Sequence, residues 1–85
     1  MLTLDELKAL KPDKVVDARG SSCPGPLLEA KKGIGAVAVG QIIEIISNDV
    51  GTKKDIPAWA AKVGHEALGV IEEPTNDRVF VKRRK

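Results

Sequence analysis

The sequence predicts an α/β (α+β) fold: a four-stranded mixed sheet in βαβαββ order, with two main helices on one face and a short helix in front. Three observations carry this reading. Lys14-Val15-Val16-Asp17-Ala18 and Gln41 to Ser47 are β-branched, strand-like runs separated by a segment of helical spacing, the layout of a right-handed parallel crossover. A second helical segment then leads to two strand-like runs joined by Pro74-Thr75-Asn76-Asp77, a turn short enough to make them an antiparallel hairpin. At 85 residues, with 42% apolar and 31% charged side chains, the chain has material for a single small core. Residues 1–85 are therefore read as one domain, a core over 14–83 behind a helical extension over 1–12.

The elements follow in order. Thr3 and Glu6 fit a capping box, each side chain positioned to satisfy the other's free backbone donor, and Leu4, Leu7 and Leu10 continue at helical spacing to Lys11. Pro12 and Asp13 stop that helix before the first strand, and Arg19-Gly20-Ser21-Ser22 turns out of the strand. Leu27, Ala30, Ile34 and Val37 lie on one helical face, while Gly33 and Gly35 predict fraying beyond Lys32. The Ile-rich run over 41–47 reads as a central strand whose Ile42 and Ile46 share a face with Glu44, a face left open or covered by a partner if the helices take the other side. Ile56, Trp59, Ala60 and Val63 mark the second main helix. Its cap is either Thr52, which would set Pro57 against the Lys53 carbonyl, or Asp55, which puts Pro57 in the first turn, where proline is tolerated. Gly64 ends it, Ala67 to Glu73 and Arg78 to Lys82 form the hairpin, and Trp59 and Phe80 are expected in the core.

Composition excludes several classes of function. No run approaches the roughly 20 apolar residues of a membrane span, and Asp5 and Glu6 interrupt what a secretory signal would need, so a soluble cytoplasmic protein is expected. One cysteine, Cys23, rules out a disulfide within the chain, a CxxC redox pair and a multi-thiolate metal site. His65, the lone histidine, follows a helix-ending glycine and is expected to pack or to bond the last helical carbonyls. The formal charge of +2 is too small to argue for nucleic acid, although Lys82 to Lys85 form a basic end able to steer an acidic partner or RNA phosphates. Two aromatic residues leave little for stacking bases.

The chemistry concentrates in Asp17-Ala18-Arg19-Gly20-Ser21-Ser22-Cys23-Pro24-Gly25-Pro26. Here Cys23 sits at a helix N-terminus, where free N–H groups and the helix dipole favour thiolate over thiol. Pro26 suits an opening helical position because its missing N–H would have no intrahelical partner, and Pro24 stiffens the approach. Gly25 completes the rigid entry. Asp17 and Gly20 read as turn-makers. Arg19 can either place a positive charge near the sulfur or pair with Asp17 at the surface. A single activated cysteine without a resolving cysteine or an acid–base pair suits a group carrier, with an inert buried thiol as the plain structural reading.

At these residues the chain resembles the TusA, SirA, YedF and YeeD family of small sulfur carriers, marked by a Cys-Pro-x-Pro (CPxP) motif after an Asp-x-x-Gly element. Here these are Cys23-Pro24-Gly25-Pro26 and Asp17-Ala18-Arg19-Gly20. The similarity continues through Leu27 to Lys32, the Gly40 turn, Asp55-Ile56-Pro57-Ala58-Trp59 and Gly64-His65-Glu66. It implies a two-layer sandwich and a persulfide-carrying Cys23, with Pro24, Gly25, Pro26 and Arg19 in support. The implied activity is that of a sulfurtransferase in a cytoplasmic sulfur relay, with no cofactor or metal. A cysteine desulfurase, rhodanese or DsrE-type protein would load the thiol, and an acceptor protein would take the sulfur toward tRNA thiolation, molybdenum-cofactor maturation or sulfur oxidation. Ser21 departs from a frequent leucine, the Trp59 helix lacks a second cysteine, and the amino-terminal helix is additional. The alternative is a small RNA-binding or regulatory module; a selenium carrier would use the same thiolate.

Overall fold

The computed structural model describes residues 2–22 and 24–85. Its elements are α1 (Leu4–Ala9), β1 (Lys14–Asp17), α2 (Gly25–Gly35), β2 (Ile42–Ser47), α3 (Thr52–Val63), β3 (Glu66–Glu72) and β4 (Asp77–Lys82). The sheet runs β1-β2-β4-β3, with β1 parallel to β2 and the other neighbours antiparallel. This is the expected four-stranded mixed sheet. The parallel crossover sends the carboxyl ends of β1 and β2 to the same end of the sheet, and the β3–β4 turn lies there too, because Ser47 pairs with Asp77.

Ile43 and Ile45 of β2 and Val79 and Val81 of β4 are fully buried on one face against Ala30 and Ile34 of α2 and Ile56 and Ala60 of α3. Trp59 is half-buried at the rim of this core. The fraying expected beyond Lys32 does not occur: α2 continues to Gly35, and Gly33 is buried because a Cβ there would stand 2.7 Å from Cγ2 of Val16. The glycine's propensity cost is offset by the close approach of helix to strand. Gly33→Ala is accordingly expected to destabilise by about 1 kcal/mol net, overpacking of about 1–3 kcal/mol outweighing a propensity gain of about 1 kcal/mol. A Cβ at Gly35 would meet nothing within 4 Å, so Gly35→Ala should gain about 0.5 kcal/mol. Urea unfolding of the two variants would show opposite signs; stabilisation by both would mean that the α2–β1 contact is loose.

α3 begins at Thr52, with Gly51 as its cap and Pro57 inside the helix, so neither expected cap, Thr52 nor Asp55, is the one used. Local side chains, rather than proline placement, set this boundary. The buried Ser47 and Thr52 hydroxyls bond at 2.8 Å, Ser47 Oγ accepts the Asp49 N–H at 3.0 Å, and Asp49 Oδ1 accepts the Gly51 N–H at 2.8 Å. The first turn is thereby fixed before Pro57 is reached.

The opposite sheet face is partly covered by the chain itself. The Thr3–Glu6 capping box forms, and α1 lays Leu7, with Leu2 and Leu10 beside it, over Leu68, Ile71, Phe80 and Ile42. Leu68 is the extra residue of a bulge in β3, and its carbonyl accepts the Leu2 N–H at 2.8 Å. Farther along this face, Glu44 is buried and chelated by Arg78, whose guanidinium also lies over the Phe80 ring at 5.4 Å.

Candidate functional site: the loop around Cys23

Cys23 lies outside the described residues, but both of its flanks are defined. On the upstream side Ala18 is buried and donates its N–H to the Ile46 carbonyl at 2.7 Å, which carries the sheet pairing one residue past β1. The chain then turns. Ser21 N–H bonds the Ala18 carbonyl at 3.2 Å, and Gly20 adopts φ +88°, a left-handed conformation that glycine takes without steric penalty.

Arg19 takes the second of the two roles open to it. Its guanidinium grips Asp17 through both carboxylate oxygens, Nε to Oδ1 at 2.9 Å and Nη2 to Oδ2 at 2.7 Å, and its own N–H also reaches Oδ1 at 3.1 Å. The guanidinium hydrogen bonds, then the backbone N–H, hold the Asp17 carboxyl down at about 2. A depressed folded-state value contributes stability above the unfolded carboxylate range of roughly 4, and that contribution is lost as pH falls through about 2. A carboxyl-carbon NMR titration should find the Asp17 midpoint near 2, moving up toward the ordinary value in Arg19→Ala; an unmoved midpoint would contradict the clamp.

On the downstream side Gly25 N–H bonds the Ser22 carbonyl at 2.7 Å, closing a turn whose sequence includes Cys23 and Pro24. Pro24 is the N-cap of α2 and Pro26 is buried in its first turn, as their ring geometry favours. Gly25 proves more than a stiff entry. A Cβ there would lie 2.9 Å from the Ser21 Cβ, so glycine lets the incoming loop close on the helix. The N-cap Pro24 makes no side-chain capping bond and the first turn holds no acidic residue, so among the described residues no carboxylate of the first turn offsets the positive end of the 11-residue helix.

Asn48 is the residue that sequence reading missed. Its Oδ1 accepts the Gly20 N–H at 3.1 Å, joining the turn after β1 to the turn after β2. An asparagine at a strand exit is ordinary loop chemistry, and only the parallel pairing of β1 with β2 brings these two exits together.

The family model described as Sulfurtransferase TusA matches residues 14–83. The chain belongs to the TusA family. TusA-family proteins are sulfur carriers, and sulfur transfer is the coarse activity that this membership brings. A putative sulfur carrier protein of Archaeoglobus fulgidus is 49% identical over 71 residues, covering 84% of this chain and 97% of that protein. The sulfur carrier protein TusA of Allochromatium vinosum is 37% identical over 71 residues, covering 84% and 93%. In fold, the chain matches a SirA-like protein of Desulfitobacterium hafniense with TM-score 0.73 at 18% identity, over 85% of this chain and 99% of that one. The TusA match begins at Lys14, so α1 lies outside the region it covers.

Two other expected features are placed away from the loop. His65 bonds no helical carbonyl through its ring; its Nδ1 accepts the Arg84 N–H at 3.1 Å and the ring leans on Trp59 at 5.8 Å, while its backbone N–H bonds Ala60 O at 2.8 Å. Burial, then the charges of Arg83 and Lys85, pushes the imidazole pKa down. The basic end is partly docked, with Arg84 and Lys85 still exposed. Arg83 donates to the Ile34 and Val37 carbonyls at the end of α2, and Arg84 pairs with Glu66. No helix is long and apolar enough to cross a membrane among the described residues.

Proposed function

We propose that the protein is a persulfide carrier in which Cys23 accepts sulfane sulfur from one protein and yields it to another. The Cys23 thiolate attacks the terminal sulfur of a donor persulfide. A new S–S bond forms on Cys23, the donor's S–S bond breaks, and the donor leaves as a thiolate; an acceptor thiolate then repeats the exchange in the other direction. No external oxidant is consumed. Donors of the cysteine desulfurase, rhodanese or DsrE type satisfy this chemistry, and a cytoplasmic relay suits a reactive single thiol.

The observation that carries the reading is the start of α2 at Gly25, inside Cys23-Pro24-Gly25-Pro26, where the N-cap Pro24 makes no side-chain capping bond and the first turn holds no acidic residue. Both the thiolate and the persulfide are anions, and the dipole of that helix end favours each over its protonated form. Arg83 is engaged by the Ile34 and Val37 carbonyls and Arg84 by Glu66, which weakens the case for RNA binding and favours the carrier reading.

Radiolabelled cysteine supplied with a cysteine desulfurase tests it. Label should appear on the chain in a non-reducing gel and disappear with dithiothreitol. A chain that stays unlabelled across desulfurase, rhodanese and DsrE-type donors, yet retards RNA at low salt, would establish the other reading.

A further inference from the structure

We infer that Asn48 is a positioning residue for Cys23, a role that rests on the carrier reading for its functional consequence but on the hydrogen-bond pattern for its existence. The two flanks of Cys23 are held differently. Downstream, Pro24 to Pro26 are part of α2, with Leu28 N–H already bonded to the Pro24 carbonyl at 3.0 Å. Upstream, the described hydrogen bonds of Arg19, Ser21 and Ser22 are local, reaching Asp17, Ala18 and Gly25. The Gly20 N–H is different, because it crosses to Asn48, 28 residues away in sequence.

That anchor is itself firm. Ser47, fully buried, bonds both Thr52 and the Asp49 N–H, and Asp49 bonds the Gly51 N–H, so the polar side chains on either side of Asn48 are spent on fixing their own loop. Asn48 is exposed and turned outward from this network to hold the neighbouring turn. The tie therefore fixes the approach to Cys23 relative to the end of β2. Without it, the described hydrogen bonds of residues 19–22 reach only their own neighbourhood, and the segment leading into Cys23 loses its described tie to the end of β2. Reactions between two thiols are sensitive to such placement, and misplacement by about 1 Å can cost up to roughly a hundredfold.

Asn48→Ala and Asn48→Asp separate positioning from bulk structure. Alanine removes the acceptor; aspartate keeps an acceptor oxygen at the same reach. The alanine variant should show faster Gly20 amide exchange, an upward shift in the pH midpoint of Cys23 alkylation by iodoacetamide, and about tenfold slower sulfur transfer from a cysteine desulfurase, with unfolding by urea within about 0.5 kcal/mol of wild type. Asn48→Asp should restore Gly20 protection and most of the transfer rate. The inference is overturned if Asn48→Ala leaves the alkylation profile and transfer rate at wild-type values, or if aspartate is as damaging as alanine. Alkylation needs no sulfur donor. A shifted profile in a protein that takes up no sulfur would thus overturn the carrier reading and leave the positioning role standing.

Discussion

Cys23→Ser is expected to carry no sulfur from any donor while unfolding at the same denaturant concentration as the wild type. The loss should be complete rather than graded, because the chain has one cysteine and no other side chain can form a persulfide. A serine hydroxyl has the size of the thiol but stays protonated at neutral pH and does not attack sulfur. Stability should hold because the described structure on either side of position 23 is made by other groups: the Gly25–Ser22 backbone bond, Pro26 in the core and the Arg19–Asp17 clamp. Transfer assayed with a desulfurase, alongside urea unfolding, checks both halves. Residual transfer by the serine variant would remove Cys23 from the mechanism.

Arg78→Ala should produce the largest loss of stability, about 3 kcal/mol, with the Cys23 loop untouched. Glu44 stands in the middle of β2 with its side chain 5% exposed, and Arg78 on the adjacent β4 meets both its oxygens, Nε to Oε2 at 2.9 Å and Nη2 to Oε1 at 3.1 Å. The Arg78 pKa is raised chiefly by the hydrogen bond to Glu44. Removing the guanidinium leaves a buried carboxylate without its partner, and the penalty is its desolvation rather than the modest worth of a surface pair. Contact with the Phe80 ring is lost as well. Arg78 is 30% exposed, so water can reach part of the vacated site, which places the cost at the lower end for buried pairs. Against a total of roughly 4 to 13 kcal/mol for a chain of this length, that is a large fraction. Adding Glu44→Gln to Arg78→Ala should recover about 1 kcal/mol or more, since a neutral amide is cheaper to bury than a charge. Urea midpoints of the single and double variants give the comparison, and a single-variant loss below about 1 kcal/mol would show that the pair is effectively solvated.

The fold was legible where periodicity and turn chemistry agree. Ile43 and Ile45 on one strand face, Ala30 and Ile34 on one helix face, and the short turn before Asp77 specify strand, helix and hairpin without reference to the rest of the chain. The misreadings occurred where a specific contact overrides a propensity rule. Gly33 is a weak helix residue by propensity, and only its contact with Val16 shows why the helix runs through it. Pro57 pointed to a late start for α3, and the buried Ser47–Thr52 pair moved that start upstream. The engagement of Arg83 in the basic run over 82–85 had no local signal, because the carbonyls that bind it, Ile34 in α2 and Val37 just beyond, lie 46 to 49 residues earlier.

The site divides the same way. Cys23, Pro24, Gly25 and Pro26 announce a helix start in contiguous sequence. Arg19 and Asp17, two residues apart, left two geometries open until the clamp decided between them. Asn48 carried no local signal at all, since its partner Gly20 is set beside it only by the order of the strands.

Intact mass of the purified protein and of its Cys23→Ser variant, after incubation with a persulfide donor and again after reduction, tests the central claim most directly. The carrier account predicts that the wild type alone gains the mass of one sulfur atom and loses it to the reductant. A wild-type mass that stays unchanged although Cys23 alkylates readily, or a serine variant that gains the same reducible sulfur, would contradict it.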